Sequence, residues 1–209
     1  MTDAAFWDGI AEEYARKPVA DPAAFERKIA ITEARLGAHA EVLDIGCGTG
    51  SLALRLSKSA RHVHGLDASQ EMIRIARGKA GAQDATNVTF HVGAFDESFA
   101  TLQPGSLDVV CAYSILHLVP DRRAAIDRIF RLLAPGGSLV SSTVCLGESW
   151  VPYRPFLAVM RWLGKAPRVS VFSAHDLVED LTRAGFVEIE RPDVGADTTI
   201  AFVVARKPR

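Results

Sequence analysis

Short apolar runs recur through the middle of the chain: EVLDI, HVHGLD, VTFHV, LDVVCA and SLVSSTV. Segments with helical spacing separate most of them: Leu52 with Leu56, then SQEMIRIARGKA, then DRRAAIDRIFRLL. Strands alternating with helices imply right-handed crossovers and a mainly parallel sheet, an α/β Rossmann-like three-layer sandwich. The strands are apolar almost throughout, as a sheet covered on both faces requires. Ahead of them, Phe6, Ile10 and Tyr14 share one face of a short leading helix. Asp21 and Pro22 read as N-cap and N1 of a second helix, with Phe25, Ile29 and Leu36 along one side and Gly37 to end it. Towards the end of the sequence, Ser173 and Asp176 form a capping-box pattern before Leu177 and Leu181, and Gly185 closes that helix. FVEIER and TTIAFVVARK follow, joined by a connection short enough for an antiparallel hairpin.

No repeat or low-complexity tract interrupts this order, so residues 1–209 are read as one domain. Residues 1–37 form an N-terminal helical cap, and 147–170, rich in Trp, Tyr, Phe and Pro, form an insertion after the fifth strand. Composition fits this reading: 209 residues with 48% hydrophobic and 23% charged content make an ordinary globular core. A formal net charge of -1 provides no basic field for nucleic acid, which leaves a small molecule as the default partner. Cys47, Cys111 and Cys145 lack CxxC spacing, so a reducing compartment, the cytoplasm, is expected. The sequence shows neither a signal-peptide pattern nor an apolar stretch of roughly 20 residues that could span a bilayer. His62 and His64 alternate onto one strand face without an acidic or cysteine partner at ligand spacing, so no metal is expected.

The stretch EVLDIGCGTG carries the chemistry. Gly46, Gly48 and Gly50 allow positive φ and close approach of a ligand to bare backbone between the first strand and the next helix. The second strand ends at Asp67, where a carboxylate can accept hydrogen bonds from both hydroxyls of a ribose. A dinucleotide fits formally, because Gly48, Gly50 and Ala53 match G-x-G-x-x-A. Charge separates the candidates: Asp44 beside the turn opposes a pyrophosphate and suits the ammonium and sulfonium of S-adenosylmethionine. Cys47 reads as a small residue in a tight turn rather than a nucleophile.

DIGCGTG at 44–50, LDAS at 66–69, LDVVCAYSILHL at 107–118 and LLAPGGSLV at 132–140 resemble the class I S-adenosylmethionine-dependent methyltransferases acting on small molecules. The resemblance covers most of the chain and implies the sheet order 3-2-1-4-5-7-6 with strand seven antiparallel. It implies donor contacts from Asp44, Gly46, Cys47, Gly48 and Gly50 at the turn, and from Asp67, Ala68 and Met72 after the second strand. Ala112 and Tyr113 at the end of the fourth strand join them, with Tyr14 from the leading helices. Where many relatives carry an acid for the adenine amino group, this chain has Ala94; backbone groups of Ala94 and Phe95 and the Phe95 ring, or Asp96 in a shifted turn, are the replacements considered. His117, after the fourth strand, is the general-base candidate by position, against a packing or capping role.

The insertion offers Trp150, Tyr153, Phe156, Met160 and Trp162 as a wall for an apolar or aromatic small acceptor. Arg154, Arg161, Lys165 and Arg168 intersperse with these aromatics, which raises membrane-surface contact through 150–168 as the lesser reading. The competing functions are an NAD(P)-binding oxidoreductase and a catalytically silent donor-binding module. The residues leave open whether O, N, C or S is methylated.

Overall fold

The computed structural model describes residues 3–147, 153–163 and 166–209. Helices α1 (Asp3–Arg16) and α2 (Pro22–Glu33) precede β1 (Glu41–Ile45), α3 (Ser51–Leu56), β2 (His62–Asp67), α4 (Gln70–Ala82) and β3 (Val88–Val92). Then come β4 (Leu107–Tyr113), α5 (Arg122–Leu132), β5 (Leu133–Val144), α6 (Tyr153–Trp162), α7 (Ala174–Arg183), β6 (Val187–Glu190) and β7 (Ile200–Arg206). The strands form one sheet in the order β3-β2-β1-β4-β5-β7-β6. β1 to β5 run parallel, and β7 pairs antiparallel with both β5 and β6. The order implied by the resemblance and the hairpin read from the short connection are both present.

Alternation along the strands explains the three layers. Leu43, Leu66 and Val110 point to one face, where Ile126 and Ile129 of α5 and Leu177 and Leu181 of α7 cover them. Val42, Val63 and Val109 point to the other, against Ile29 of α2, Leu52 and Leu56 of α3, and Ile73 and Ala76 of α4. Local signals start the helices: Asp21 accepts the Ala24 N–H, Ser69 the Met72 N–H and Asp121 the Ala124 N–H. Ser173 and Asp176 complete the reciprocal capping box. One boundary differs from the sequence reading. α2 stops at Glu33 rather than running to Gly37, because Arg35 N bonds Thr32 O and Leu36 N bonds Glu33 O, a tightening to i→i+3 contacts that ends the helix.

The three cysteines are buried. No described helix is long and apolar enough to cross a membrane. On the outer layer, Asp180 of α7 is buried and accepts from Arg122 Nε at 2.8 Å and Arg123 Nε at 2.7 Å, which fastens α7 to the start of α5. Its removal strands the partly buried Arg122. Asp180→Ala is therefore expected to lower stability by roughly 2 kcal/mol, read from the denaturant midpoint, the range for hydrogen bonds to charged groups. An unchanged midpoint would show that water replaces the clamp at no cost.

Candidate active site

β1 ends at Ile45 and the chain folds over the end of β2. Gly46 and Cys47 both donate their N–H to Leu66 O, at 2.8 and 3.0 Å, and Gly48 donates to Asp67 Oδ2 at 2.9 Å. Gly46, Gly48 and Gly50 have φ of 68°, 51° and 77°, the left-handed region that glycine adopts without penalty. Their surroundings differ. A Cβ on Gly46 would lie 2.8 Å from Ile115 Cδ1, and one on Gly50 would lie 2.8 Å from Phe90 Cζ and 2.9 Å from Ala76 Cβ. At Gly48 the nearest atom is Tyr14 Cε1 at 3.8 Å. Of the three, only Gly48 faces open space, and the outer two glycines serve positive φ and packing.

Two carboxyl groups flank this turn. Asp44 is buried, with Oδ2 lacking any hydrogen-bond partner, and lies inside the sheet at the end of β1 rather than at the mouth of the turn. Burial raises its pKa to about 8, the Asp67 charge adds to the shift, and a backbone hydrogen bond from Ala53 offsets part of it. Asp67 is also raised, chiefly by burial, while the N–H groups of Ser69 and Gly48 favour its charged form. Each Asp67 oxygen accepts one of these bonds at 2.9 Å, which leaves lone pairs for further donors.

Helix α1 lies over this corner because Asp8 Oδ1 accepts from Ser69 Oγ at 2.6 Å and from Glu71 N at 3.1 Å, at the start of α4. Asp8 is held below the usual carboxylate range by the Ser69 hydroxyl first and the Glu71 N–H second. No pattern in the sequence pointed to Asp8. Its anchoring brings Tyr14 next to Gly48. Ala68 is exposed beside Asp67, whereas Met72 is 2% exposed. Cys47 is buried, and burial pushes its thiol well up, so its side chain belongs to the core.

After β3, Ala94 is exposed and Phe95 half-buried, with the Arg128 guanidinium 5.5 Å from the Phe95 ring centre. Asp96 is committed locally, because its Oδ1 accepts from both N and Oγ of Ser98. It is thereby a poor replacement for the missing acid. At the end of β4 two of the expected donor contacts have their side chains covered. Ala112 is fully buried in the core, and Tyr113 turns to the α2 side, where its hydroxyl meets Thr32 Oγ1 at 2.9 Å and donates to Lys28 O at 3.2 Å. The period of two along β4 sends these side chains to the two covered faces, away from the crevice.

The residues that reach the crevice end there instead are Ser114, with φ of 54° and its N–H on Ser142 O, and Ile115, which covers Gly46. A non-glycine residue with positive φ beside a glycine turn marks a site held by its surroundings. Lys28 is likewise buried, with Nζ donating to Ser142 Oγ at 3.0 Å, and burial lowers its pKa. His117 is 8% exposed, Nδ1 has no partner, and burial lowers the pKa to about 4.

Ser170 N donates to His117 O at 2.7 Å, which ties this loop to the wall of a cleft of about 950 Å³. Phe6 of α1, Leu157, Arg161 and Trp162 of α6, and Val169 and Ser170 line it. Tyr153 and Met160 are half-buried on α6; Trp150 and the Phe156 side chain lie outside the described residues. His64 Nδ1 stands 3.2 Å from His91 Nε2, yet no group of three metal-capable side chains occurs among the described residues.

Asp44 dictates a pH dependence. Its folded pKa of about 8 lies above the unfolded value of 3.8, so between these the folded state holds a proton the unfolded state has lost, and stability falls as pH rises. Asp44→Asn should remove a decline on the order of a few kcal/mol across that window, read from denaturant unfolding at several pH values. Parallel wild-type and variant profiles would contradict the raised pKa.

A family model described as a methyltransferase domain matches residues 36–170. The ubiquinone biosynthesis O-methyltransferase of Xylella fastidiosa is 36% identical over 105 residues, 50% of this chain and 42% of that protein. The chain thus matches less than half the length of that curated relative. Phosphoethanolamine N-methyltransferase 2 of Haemonchus contortus, solved with S-adenosylhomocysteine, superposes with a TM-score of 0.81 at 19% identity, covering 100% of this chain and 61% of that one. The [4+2]-cyclase SpnF superposes with a TM-score of 0.72 at 22% identity, covering 88% and 80%. At such identities the superpositions establish the fold alone.

Proposed function

Since the chain belongs to the class I S-adenosylmethionine-dependent methyltransferase family, we propose that it transfers the donor methyl to a hydroxyl of a small apolar or aromatic acceptor. The observation that carries the donor half is the buried, unpartnered Asp44 oxygen, close enough to Asp67 for the two charges to interact. A pyrophosphate would set further negative charge near Asp44 and Asp67, which disfavours the nicotinamide reading. A cationic ligand supplies what the carboxyl pair lacks. The O-methyltransferase name of the Xylella fastidiosa relative supports a hydroxyl acceptor. Cys47 and Cys111, buried and without a disulfide, favour a reducing compartment such as the cytoplasm.

In this reading Asp67 holds the ribose hydroxyls with its remaining lone pairs, Gly48 and Tyr14 border the methionine part, and Asp44 faces the positive end. Ala94 and Phe95 border the adenine. When bound, the donor supplies a sulfonium-activated methyl group, so the protein has mainly to align the acceptor and exclude water. The cleft beside α1 and α6 supplies the acceptor wall. His117 is the candidate to take the acceptor's hydroxyl proton by its place after β4; burial lowers its pKa to about 4, which keeps it neutral and makes it a weak base.

Asp67→Ala should weaken S-adenosylmethionine binding about 10- to 100-fold in calorimetric titration, the worth of hydrogen bonds to a charged acceptor. Unchanged affinity would remove Asp67 from the ribose site. His117→Ala should leave donor affinity intact and reduce turnover, followed as S-adenosylhomocysteine release across a panel of phenols and catechols, by at least about 100-fold. Failure of the wild type to turn over any acceptor while binding the donor would favour a silent module.

A further inference from the structure

α6 leaves its apolar side uncovered. Val159, Trp162 and Leu163, spaced i, i+3 and i+4 on one helix face, are 55%, 84% and 51% exposed. They are three of only seven large hydrophobic residues exposed among the described residues. A patch of this kind, with an indole almost fully in water, has a cost that calls for a partner. The charge around it is one-sided. From Ser149 to His175 the sequence has no Asp or Glu, while it has Arg154, Arg161, Lys165 and Arg168. Arg161 and Arg168 are exposed, and both line the cleft together with Trp162. The one carboxylate on that wall is Asp3, whose Oδ1 accepts the Arg168 backbone N–H at 3.0 Å.

We propose that the exposed face of α6 with residues 166–168 docks on the surface of an anionic lipid bilayer, Trp162 seating among the headgroups and Arg161 and Arg168 pairing with lipid phosphates. The choice of a bilayer over a protein rests on this charge pattern: a tryptophan, aliphatic side chains and arginines in a stretch of sequence without acids match an interfacial helix, and no described helix could span. The wall of the cleft is the docking face itself, so an apolar molecule could pass between bilayer and cleft without crossing bulk water. The inference goes beyond the methyl-transfer reading, and its primary readout, vesicle binding, does not depend on turnover.

The test is flotation of the full-length protein with vesicles of equimolar phosphatidylglycerol and phosphatidylcholine, against vesicles of phosphatidylcholine alone. The protein is expected to float with the first and not the second, and to be released as salt is raised. Arg161→Gln and Arg168→Gln should each weaken binding roughly 5-fold, the usual contribution of one arginine at an anionic surface. Trp162→Ala should weaken it further, with unchanged melting temperature and unchanged calorimetric affinity for S-adenosylmethionine. Those two controls separate a failure of docking from a failure of the fold or of the donor site. Absence of flotation at low salt overturns the proposal. So does light scattering that shows a dimer which Trp162→Ala converts to monomer, because the patch would then be covered by a second copy.

Discussion

A carboxyl group buried at the end of a central strand, with one oxygen unpaired, is the constraint on which the site depends. Asp44 has no cation within reach, and Asp67 adds like charge, so the cheapest state of the free protein keeps Asp44 protonated. That arrangement costs stability at neutral pH. It makes sense as the receiving half of an interaction with a positive ligand, because a cation placed there gains a desolvated carboxylate and relieves the repulsion between the two acids.

The neighbouring structure positions this pair. Gly46 and Cys47 reach across to Leu66, Gly48 to Asp67, and packing against Ile115, Phe90 and Ala76 excludes side chains at Gly46 and Gly50. The turn is thus fixed by the strands and helices around it before any ligand arrives. α1 is held differently, with the contacts of Asp8 to Ser69 and Glu71 among its polar ties, and it brings Tyr14 over the one glycine of the turn that faces open space. α1, 14 residues long, is also tied to α4 by the Glu12–Arg74 ion pair and packs through the buried Ala11.

Much of the fold was legible because its signals are local. Apolar runs gave the strands, Asp21 and Ser173 gave helix starts, and the order of motifs implied the sheet order. The end of α2 was not legible, since tightened hydrogen bonds stopped the helix before the glycine that looked like its cap. At the turn, the positive φ of the glycines was readable from spacing, but the direction of the Tyr113 side chain was not, because position in sequence does not say which face a strand residue takes. Lys28, Asp8 and Ser114 left no pattern at all: their roles come from long-range packing of α2 on β5, of α1 on α4 and of β4 against β5.

The central claim is that the donor's positive charge ionises Asp44. Calorimetric titration of the protein with S-adenosylmethionine at pH 7, in buffers of different ionisation enthalpy, measures it directly. With a free-protein pKa of about 8, Asp44 is roughly nine-tenths protonated at that pH, so binding should release close to one proton, about 0.9, and Asp44→Asn should abolish the release. Binding of the donor without proton release would contradict the account.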